Sequence, residues 1–199
     1  MLSSVVNQLL EFFISMGYFG IALALMIEII PSEIVLAYAG YLVANGQVNF
    51  VEAVIAGVIG GTIAQVFLYW IGSYGGRPFV EKYGKYIFVN KHHLELAENW
   101  FNKYGVGVIF SARFIPVVRH AISIPAGLAK MPLWKFITYT ILAIIPWSIF
   151  FIYLGEKLGT NWRNIKEYAA PYTPYFIIGA IIFVLLYMGL KMLKKKKNA

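Results

Sequence analysis

Residues 105–129, with the sequence GVGVIFSARFIPVVRHAISIPAGLA, decide the fold of this chain. The stretch is apolar except where two arginines and two prolines interrupt it, at Arg113, Pro116, Arg119 and Pro125. A charge at the centre of a bilayer costs at least ~2.5–3.5 kcal/mol, and a proline inside a helix removes a backbone hydrogen bond. We therefore predict a re-entrant helical hairpin whose break lies at the prolines, rather than a simple membrane span. Such backbone is tolerated at membrane depth only where protein or a water-filled cavity covers it.

Residues 17–44 form an earlier apolar run of the same kind. The run reads GYFGIALALMIEIIPSEIVLAYAGYLVA and is interrupted by Glu28, Pro31 and Glu33. Because the same two costs apply, we predict a re-entrant hairpin here as well, with its break at Pro31. Each half of either hairpin would reach roughly 16–21 Å as a helix, which is about half to two thirds of the hydrocarbon core.

The overall composition also indicates a membrane protein. Of the 199 residues, 60% are hydrophobic and only 13% are charged, whereas a typical soluble domain is roughly 25% charged. A chain this short has too little core to bury that apolar surface, and its low charge also excludes a disordered chain. Three uncharged segments have the length of about 20 residues that a spanning helix needs. They are residues 53–72, 136–155 and 168–190.

Absent residue types exclude several kinds of site. The chain has no cysteine, and all nine of its acidic residues are glutamate. Disulfide scaffolds, thiolate metal sites and cysteine nucleophiles are therefore excluded, as are sites that depend on aspartate. His92 and His93 are adjacent and would diverge on a helix, so they make a poor metal pair. We expect no metal site and no cofactor.

The hairpins and the spans that follow them repeat along the chain. The matching features are Gly20–Pro31 with Gly105–Pro116, Ala39–Gly40 with Ala126–Gly127, and Tyr69–Gly72 with Tyr153–Gly155. One hairpin plus one span makes an odd number of crossings, so two successive copies have opposite orientations. This is the inverted-repeat architecture of secondary transporters, whose substrate site lies near the midplane. In this register, Glu28 corresponds to Arg113.

We therefore predict an all-α integral membrane protein with a single membrane domain, in which an inverted repeat is followed by an extra helix. Its parts are an N-terminal interfacial helix (1–16), a first repeat (17–72), a cytoplasmic linker (73–103), a second repeat (104–159) and a C-terminal transmembrane helix (168–193).

Basic residues indicate the orientation in the cytoplasmic membrane. Residues 1–76 contain no Lys or Arg, five lie within 77–103, and five end the chain. The positive-inside rule then places the linker and the C-terminus in the cytoplasm. The loop at 156–167 is an exception, because it carries Lys157, Arg163 and Lys166 outside. This clustering favours contact with anionic lipid and not binding to nucleic acid.

Four ionisable residues in the interrupted runs are candidate functional residues. Arginine suits phosphate because its planar guanidinium bonds two oxygens at once, so Arg113 and Arg119 are candidate phosphate ligands. A low-dielectric environment favours the neutral form of a carboxylic acid, so Glu28 and Glu33 are candidates for proton coupling or gating. Charges inside a membrane usually mark function. The alternative is that the four residues form ion pairs that lock the hairpins together.

Three further residues are possible accessories. His120 follows Arg119 directly and is a candidate for binding or proton relay, although a packing role is the simpler interpretation. Ser32 and Gln65 are candidate cavity residues without a specific signal of their own.

Several motifs resemble the DedA family of membrane proteins, which is related to the eukaryotic lipid scramblases of the VTT-domain group. The motifs are Pro31-Ser32-Glu33 with Ala39-Gly40, Tyr69-Trp-Ile-Gly72 with Gly76-Arg77, Tyr83-Gly84-Lys85-Tyr86, Trp100-Phe-Asn-Lys-Tyr104-Gly105, and Arg113-Phe-Ile-Pro116-Val-Val-Arg119 with Ile124-Pro125-Ala126-Gly127. Together they cover roughly residues 17–160.

The resemblance implies lipid transport, and specifically the return of undecaprenyl phosphate to the cytoplasmic leaflet, with a link to the proton-motive force. The family's two motif arginines fall on Arg113 and Arg119, and its acidic pair falls on Glu28 and Glu33. Here the stretch between the acids is shorter than the E-N-x-x-P-P-x-P-S-E of many members.

The leading prediction is a flippase for a polyprenyl phosphate lipid, with coupling to protons and assembly into a homodimer left open. A phospholipid scramblase of broad headgroup range and a proton or ion antiporter remain open. A membrane phosphatase is disfavoured, because it would need a nucleophilic histidine with an acidic partner and a second histidine. His120 is the only histidine in an apolar region. We therefore expect no enzyme.

Overall fold

A computed structural model describes most of the predicted hairpins and spans. It covers residues 9, 12–13, 16–28, 30–83, 95, 99, 108–115, 118–172, 174–175, 178–179 and 182, with backbone alone at 76–83, 108, 111 and 120–121. The predicted interfacial helix, most of the linker and most of the C-terminal transmembrane helix lie outside these residues, as does Pro116.

The described part of the chain consists of helices and turns, without a β-strand. The α-helices are α1 (Gly17–Ile27), α2 (Ser32–Ala44), α3 (Phe50–Tyr83), α4 (Val108–Ala112), α5 (Val118–Ala121), α6 (Ser123–Leu128), α7 (Leu133–Leu158) and α8 (Ile165–Ala169). Two 3₁₀ segments, Gly159–Asn164 and Ala170–Tyr172, flank α8.

Two helical stretches are long and apolar enough to cross a membrane. They are Phe50–Gly75, with 26 residues, and Leu133–Tyr172, with 40 residues. They contain the first two predicted spans. The α3 helix continues to Tyr83, beyond the predicted boundary at Gly72.

Both long helices expose an apolar stripe. On α3 the exposed large side chains follow at three- or four-residue steps: Val51, Ile55, Ile59, Ile63, Phe67, Trp70 and Tyr74. On α7 they are Trp134, Leu142, Ile145, Ile149 and Tyr153. A soluble helix buries its apolar face and exposes polar residues. Exposed apolar stripes of this length instead suit a lipid environment.

The chain divides into two compact units, residues 1–64 with 144–172 and residues 65–143 with 173–199. In the first unit, α1 and α2 pack beside the first part of α3 and the second part of α7, around a core that includes Ile21, Leu36 and Ile152. The helical segment after α7 folds against α2, where the Trp162 and Tyr38 ring centroids lie 4.8 Å apart. In the second unit, the core includes Tyr69, Ile109 and Phe136.

Glycines allow backbones to touch within each unit. In the first unit, a Cβ on Gly40 would collide with the Ile152 carbonyl oxygen, and a Cβ on Gly155 with that of Ala37. In the second unit, a Cβ on Gly127 would collide with the Tyr69 carbonyl oxygen, and a Cβ on Gly72 with that of Ile124. The α2–α7 contact and the α6–α3 contact therefore both depend on residues without side chains.

The first interrupted run is a helix, a break and a second helix. The α1 helix ends at Ile27, and Glu28 follows in the left-handed region with φ 53°. Pro31 precedes α2, and the Ile34 N–H donates to its carbonyl at 2.9 Å. The helix is therefore interrupted after Ile27 and resumes at Ser32, next to the predicted proline Pro31.

The second interrupted run breaks after α4, where residues 113–115 form a turn. Helical hydrogen bonds resume with the Arg119 N–H donating to Ile115 at 3.0 Å. Pro125, which was also predicted to lie at a break, is instead the third residue of α6. A proline is tolerated there because the first turn of a helix lacks intrahelical partners for its N–H groups.

Candidate functional site

A buried polar cluster in the second unit surrounds Arg113. We call Arg113, Ser123, Thr140 and Gln65 the Arg113 cluster. The exposed fraction of Arg113 is 6%, that of Gln65 is 4%, and Ser123 and Thr140 are fully buried. Arginine is almost never buried to this degree unless its charge has partners.

Hydrogen bonds fix the guanidinium of Arg113 to three different helices. Its Nη2 group donates to Thr140 Oγ1 on α7 at 2.8 Å and to Ser123 Oγ on α6 at 3.3 Å. Its Nη1 group donates to the main-chain carbonyl of Arg119 at 3.4 Å. These three acceptors are neutral oxygens, so they orient the guanidinium without cancelling its charge.

Gln65 extends the cluster to α3. Ser123 Oγ donates to Gln65 Oε1 at 2.7 Å. The serine therefore receives a hydrogen bond from Arg113 and gives one to Gln65, in a continuous chain of hydrogen bonds. In a low-dielectric interior such chains rigidify the groups they join.

Aromatic rings form one wall of the cluster. The Arg113 Cζ atom lies 5.5 Å from the Phe136 ring centroid, within the range of a cation–π interaction. The Phe136 ring lies 4.9 Å from that of Tyr69, and the Tyr69 hydroxyl donates to the Met131 carbonyl. The apolar wall excludes water from one face of the guanidinium, which strengthens its electrostatic interactions.

Arg119 lies on α5 and is more accessible than Arg113. Its side chain is half-buried, while its main-chain carbonyl contacts the Arg113 guanidinium. The structure thus brings the two predicted phosphate ligands into direct contact through the backbone of one of them.

The two predicted acidic residues belong to the first unit. Glu28 and Glu33 are both half-buried. Glu33 lies in the first turn of α2, where unpaired backbone N–H groups stabilise a carboxylate. Ser32 begins the same helix and is also half-buried.

Some predicted site residues fall outside the description, and some residues of the cluster were not predicted. Pro116 and the His120 side chain lie outside the described residues. Among the described residues, no group of three metal-ligating side chains comes together. Ser123 and Thr140 were missed. The only signal in the sequence for these two residues is that each is a polar side chain within an apolar segment.

A family comparison identifies the chain. The VTT domain matches residues 30–157, which is more than half of the sequence. The chain belongs to the VTT-domain family. The match begins at Ile30, just before α2. It includes all of α2 and α3 and the whole Arg113 cluster.

Relatives of this VTT-domain chain include proteins named as transporters. It is 60% identical to undecaprenyl phosphate transporter A of Bacillus subtilis over 96% of each chain. It is 29% identical to undecaprenyl phosphate transporter A of Staphylococcus aureus, over 94% of this chain and 96% of the other. An alkaline phosphatase-like protein of Lactococcus lactis subsp. cremoris is 35% identical, over 91% of this chain and 88% of the other. No solved structure matches this VTT-domain chain.

Proposed function

We propose that this VTT-domain protein is a flippase that moves a polyprenyl phosphate lipid, undecaprenyl phosphate, across the cytoplasmic membrane. The observation that carries the proposal is the 60% identity to undecaprenyl phosphate transporter A over 96% of both chains. At this identity and coverage, the two proteins share one architecture throughout. The protein would return the lipid carrier of cell-envelope synthesis to the leaflet where it is reloaded.

Arg113 and Arg119 are the proposed phosphate ligands. A guanidinium offers five donors in a planar fork that matches phosphate oxygens. Arg113 supplies a fixed, water-shielded cation, while Arg119 supplies a more accessible one. The polyprenyl tail would remain in lipid against the exposed apolar stripes of the long helices.

Glu28 and Glu33 are the proposed proton-coupling residues. Both are half-buried. Glu28 lies in the break that follows α1, and Glu33 lies in the first turn of α2. A carboxyl group that gains and loses a proton at such a break changes the charge of a segment whose backbone is already interrupted. This coupling is what distinguishes the proposed flippase from a scramblase.

An inverted repeat is the proposed architecture, with a re-entrant hairpin in each half. Equivalent glycine contacts in the two units support it. Gly40 contacts Ile152 in the first unit as Gly127 contacts Tyr69 in the second. The hairpin residues are 87 positions apart and the long-helix residues 83 apart, as in the sequence repeat. The lysine-rich C-terminus would be cytoplasmic, and the exposed apolar faces leave room for a homodimer.

The phosphatase-like name of the lactococcal relative suggests a test for enzyme activity. We propose that the protein is not an enzyme, because its sequence offers one histidine in an apolar region and no aspartate. Purified protein incubated with a polyprenyl phosphate should release no free phosphate above the level of empty liposomes. Sustained release would overturn this part of the proposal.

Headgroup accessibility in proteoliposomes tests transport. A short-chain polyprenyl phosphate is placed in one leaflet, and its arrival in the other is followed with a membrane-impermeant reagent, with and without a pH gradient. Wild type is compared with Arg119→Ala and with Arg163→Ala, which removes an exposed arginine whose guanidinium packs over Trp162 at 5.2 Å. The proposal expects Arg163→Ala to match wild type.

The outcomes separate the candidate functions. Crossing that needs both Arg119 and the gradient supports a coupled flippase. Lipid crossing at the same rate with and without the pH gradient indicates a scramblase. Absence of crossing in folded wild-type protein contradicts lipid transport, and cation-dependent proton flux in the same liposomes would indicate an antiporter.

A further inference from the structure

The Arg113 cluster is more polar than the packing of the two units requires. Each unit brings three equivalent positions together, related by the same offsets as the glycine contacts. In the second unit these are Thr140, Ser123 and Gln65. In the first unit they are Gly57, Leu36 and Ser148.

The first unit packs these positions without a hydrogen-bonded chain. A Cβ on Gly57 would lie 3.0 Å from Leu36 Cδ2 and 3.3 Å from Ser148 Oγ. Ser148 is fully buried, and its Oγ has no hydrogen-bond partner among the described residues. Close helix packing at these positions therefore does not require a threonine, a serine and a glutamine together.

What distinguishes the second unit is the guanidinium that these polar groups surround. Thr140 Oγ1 makes the shortest of its described hydrogen bonds, at 2.8 Å. Ser123 makes the next, at 3.3 Å, and is itself held by Gln65 at 2.7 Å. A hydroxyl accepts the hydrogen bond and leaves the positive charge in place, whereas a carboxylate would neutralise it.

We propose that Thr140, Ser123 and Gln65 are positioning residues that aim the Arg113 guanidinium at an anionic lipid headgroup. The inference rests on the proposed function, since it specifies how that site recognises phosphate. Thr140 is the main positioning residue because it makes the shortest bond to the guanidinium. Ser123 bonds both Gln65 and Arg113, so it links the position of the guanidinium to that of α3. A preorganised cation binds phosphate more tightly because less side-chain entropy is lost on binding.

The test measures the preference for phosphate over the matching alcohol. Purified full-length protein in nanodiscs is titrated with a short-chain polyprenyl phosphate and with the polyprenol of the same chain length. Both probes share the tail, so the ratio of their dissociation constants isolates the headgroup. The variants are Thr140→Val, which keeps the shape and removes the hydroxyl, and Thr140→Ser, which keeps the hydroxyl. Thr138→Val is the matched control, because Thr138 is exposed on the same helix and bonds its own backbone at Trp134.

We expect Thr140→Val to lower the phosphate preference about tenfold, which is the size of one hydrogen bond to a charged group. Thr140→Ser and Thr138→Val should keep the wild-type preference. If Thr140 had a purely structural role, Thr140→Val would weaken the binding of both probes equally and leave the ratio of their dissociation constants unchanged. That result would overturn the inference. If Thr140→Val does not fold, Ser123→Ala is judged by the same ratio.

Wild-type behaviour separates the two proposals. If wild type prefers phosphate but does not carry the lipid across liposomes, the transport proposal fails and the variant ratios still decide the inference. If wild type binds phosphate and alcohol equally, both proposals fail.

Discussion

Gly155 of α7 lies against the backbone of α2 so closely that a Cβ on it would collide with the carbonyl carbon and oxygen of Ala37. Backbone cannot move aside as a flexible side chain can. The contact joins the helix after the first break to the end of the second long helix, within one unit. It fixes where α2 sits, and α2 carries Glu33.

Gly155→Ala is therefore expected to destabilise the protein by ~1–3 kcal/mol, as overpacking of a filled interior does. The control is Gly61→Ala, because a Cβ there would meet only side-chain atoms of Ile144, at 3.4–3.5 Å. Thermal unfolding in detergent should show a lower midpoint for Gly155→Ala and little change for Gly61→Ala. Equal midpoints for the two variants would contradict the close contact.

Gly72→Ala tests the equivalent contact in the second unit. A Cβ on Gly72 would collide with the Ile124 carbonyl oxygen and approach its carbonyl carbon at 2.9 Å. Because the two contacts occupy corresponding positions of the proposed repeat, the loss of stability should be similar to that of Gly155→Ala. A loss confined to one of the two variants would argue against equivalent packing in the two units.

The two breaks in the fold could be predicted from residues whose placement in a membrane-spanning helix costs free energy. The break near Pro31 and the turn that begins at Arg113 both follow from charges and prolines in apolar runs, because neither suits a continuous spanning helix. The end of α3 at Tyr83 could not be predicted in this way. Hydropathy falls after Gly72, but backbone hydrogen bonds continue a helix regardless of whether its side chains face lipid or water.

Of the Arg113 cluster, the sequence singles out Arg113 as a candidate ligand and Gln65 as a candidate cavity residue, but not Ser123 or Thr140. Arg113 is conspicuous because a charged residue in an apolar segment costs free energy in a membrane and usually marks a functional site. Ser123 and Thr140 are not conspicuous, because serine and threonine in apolar helices commonly bond their own backbone, as Thr138 does here. Only the fold shows that these two hydroxyls, far apart in sequence, reach the same nitrogen of Arg113.

Glu28→Gly should separate the backbone role of Glu28 from the role of its carboxylate. Glu28 has φ 53°, a conformation that costs an L-residue roughly 1–2 kcal/mol and costs glycine almost nothing. The variant should therefore fold as well as wild type or be slightly more stable. If Glu28 takes part in proton coupling, the variant should also lose the response of lipid crossing to a pH gradient. Glu28→Gln, which removes the charge and keeps the Cβ, should lose the same response. An undiminished gradient response in both variants would exclude Glu28 from coupling.

Gln65→Glu should weaken binding of a phosphate lipid by placing an acid of nearly the same shape beside Ser123. The Ser123 hydroxyl links this position to the Arg113 guanidinium, so an introduced carboxylate would compete with the headgroup for the same positive charge. The defect should grow as the pH rises, because the introduced carboxyl group is neutral when protonated and negative when ionised. Gln65→Met, which is neutral at every pH, is the matched control and should show a defect that does not vary with pH beyond the wild-type trend. Dissociation constants for a short-chain polyprenyl phosphate across a range of pH measure this directly. Parallel pH profiles for the two variants would mean that a charge at residue 65 does not affect binding of the phosphate headgroup.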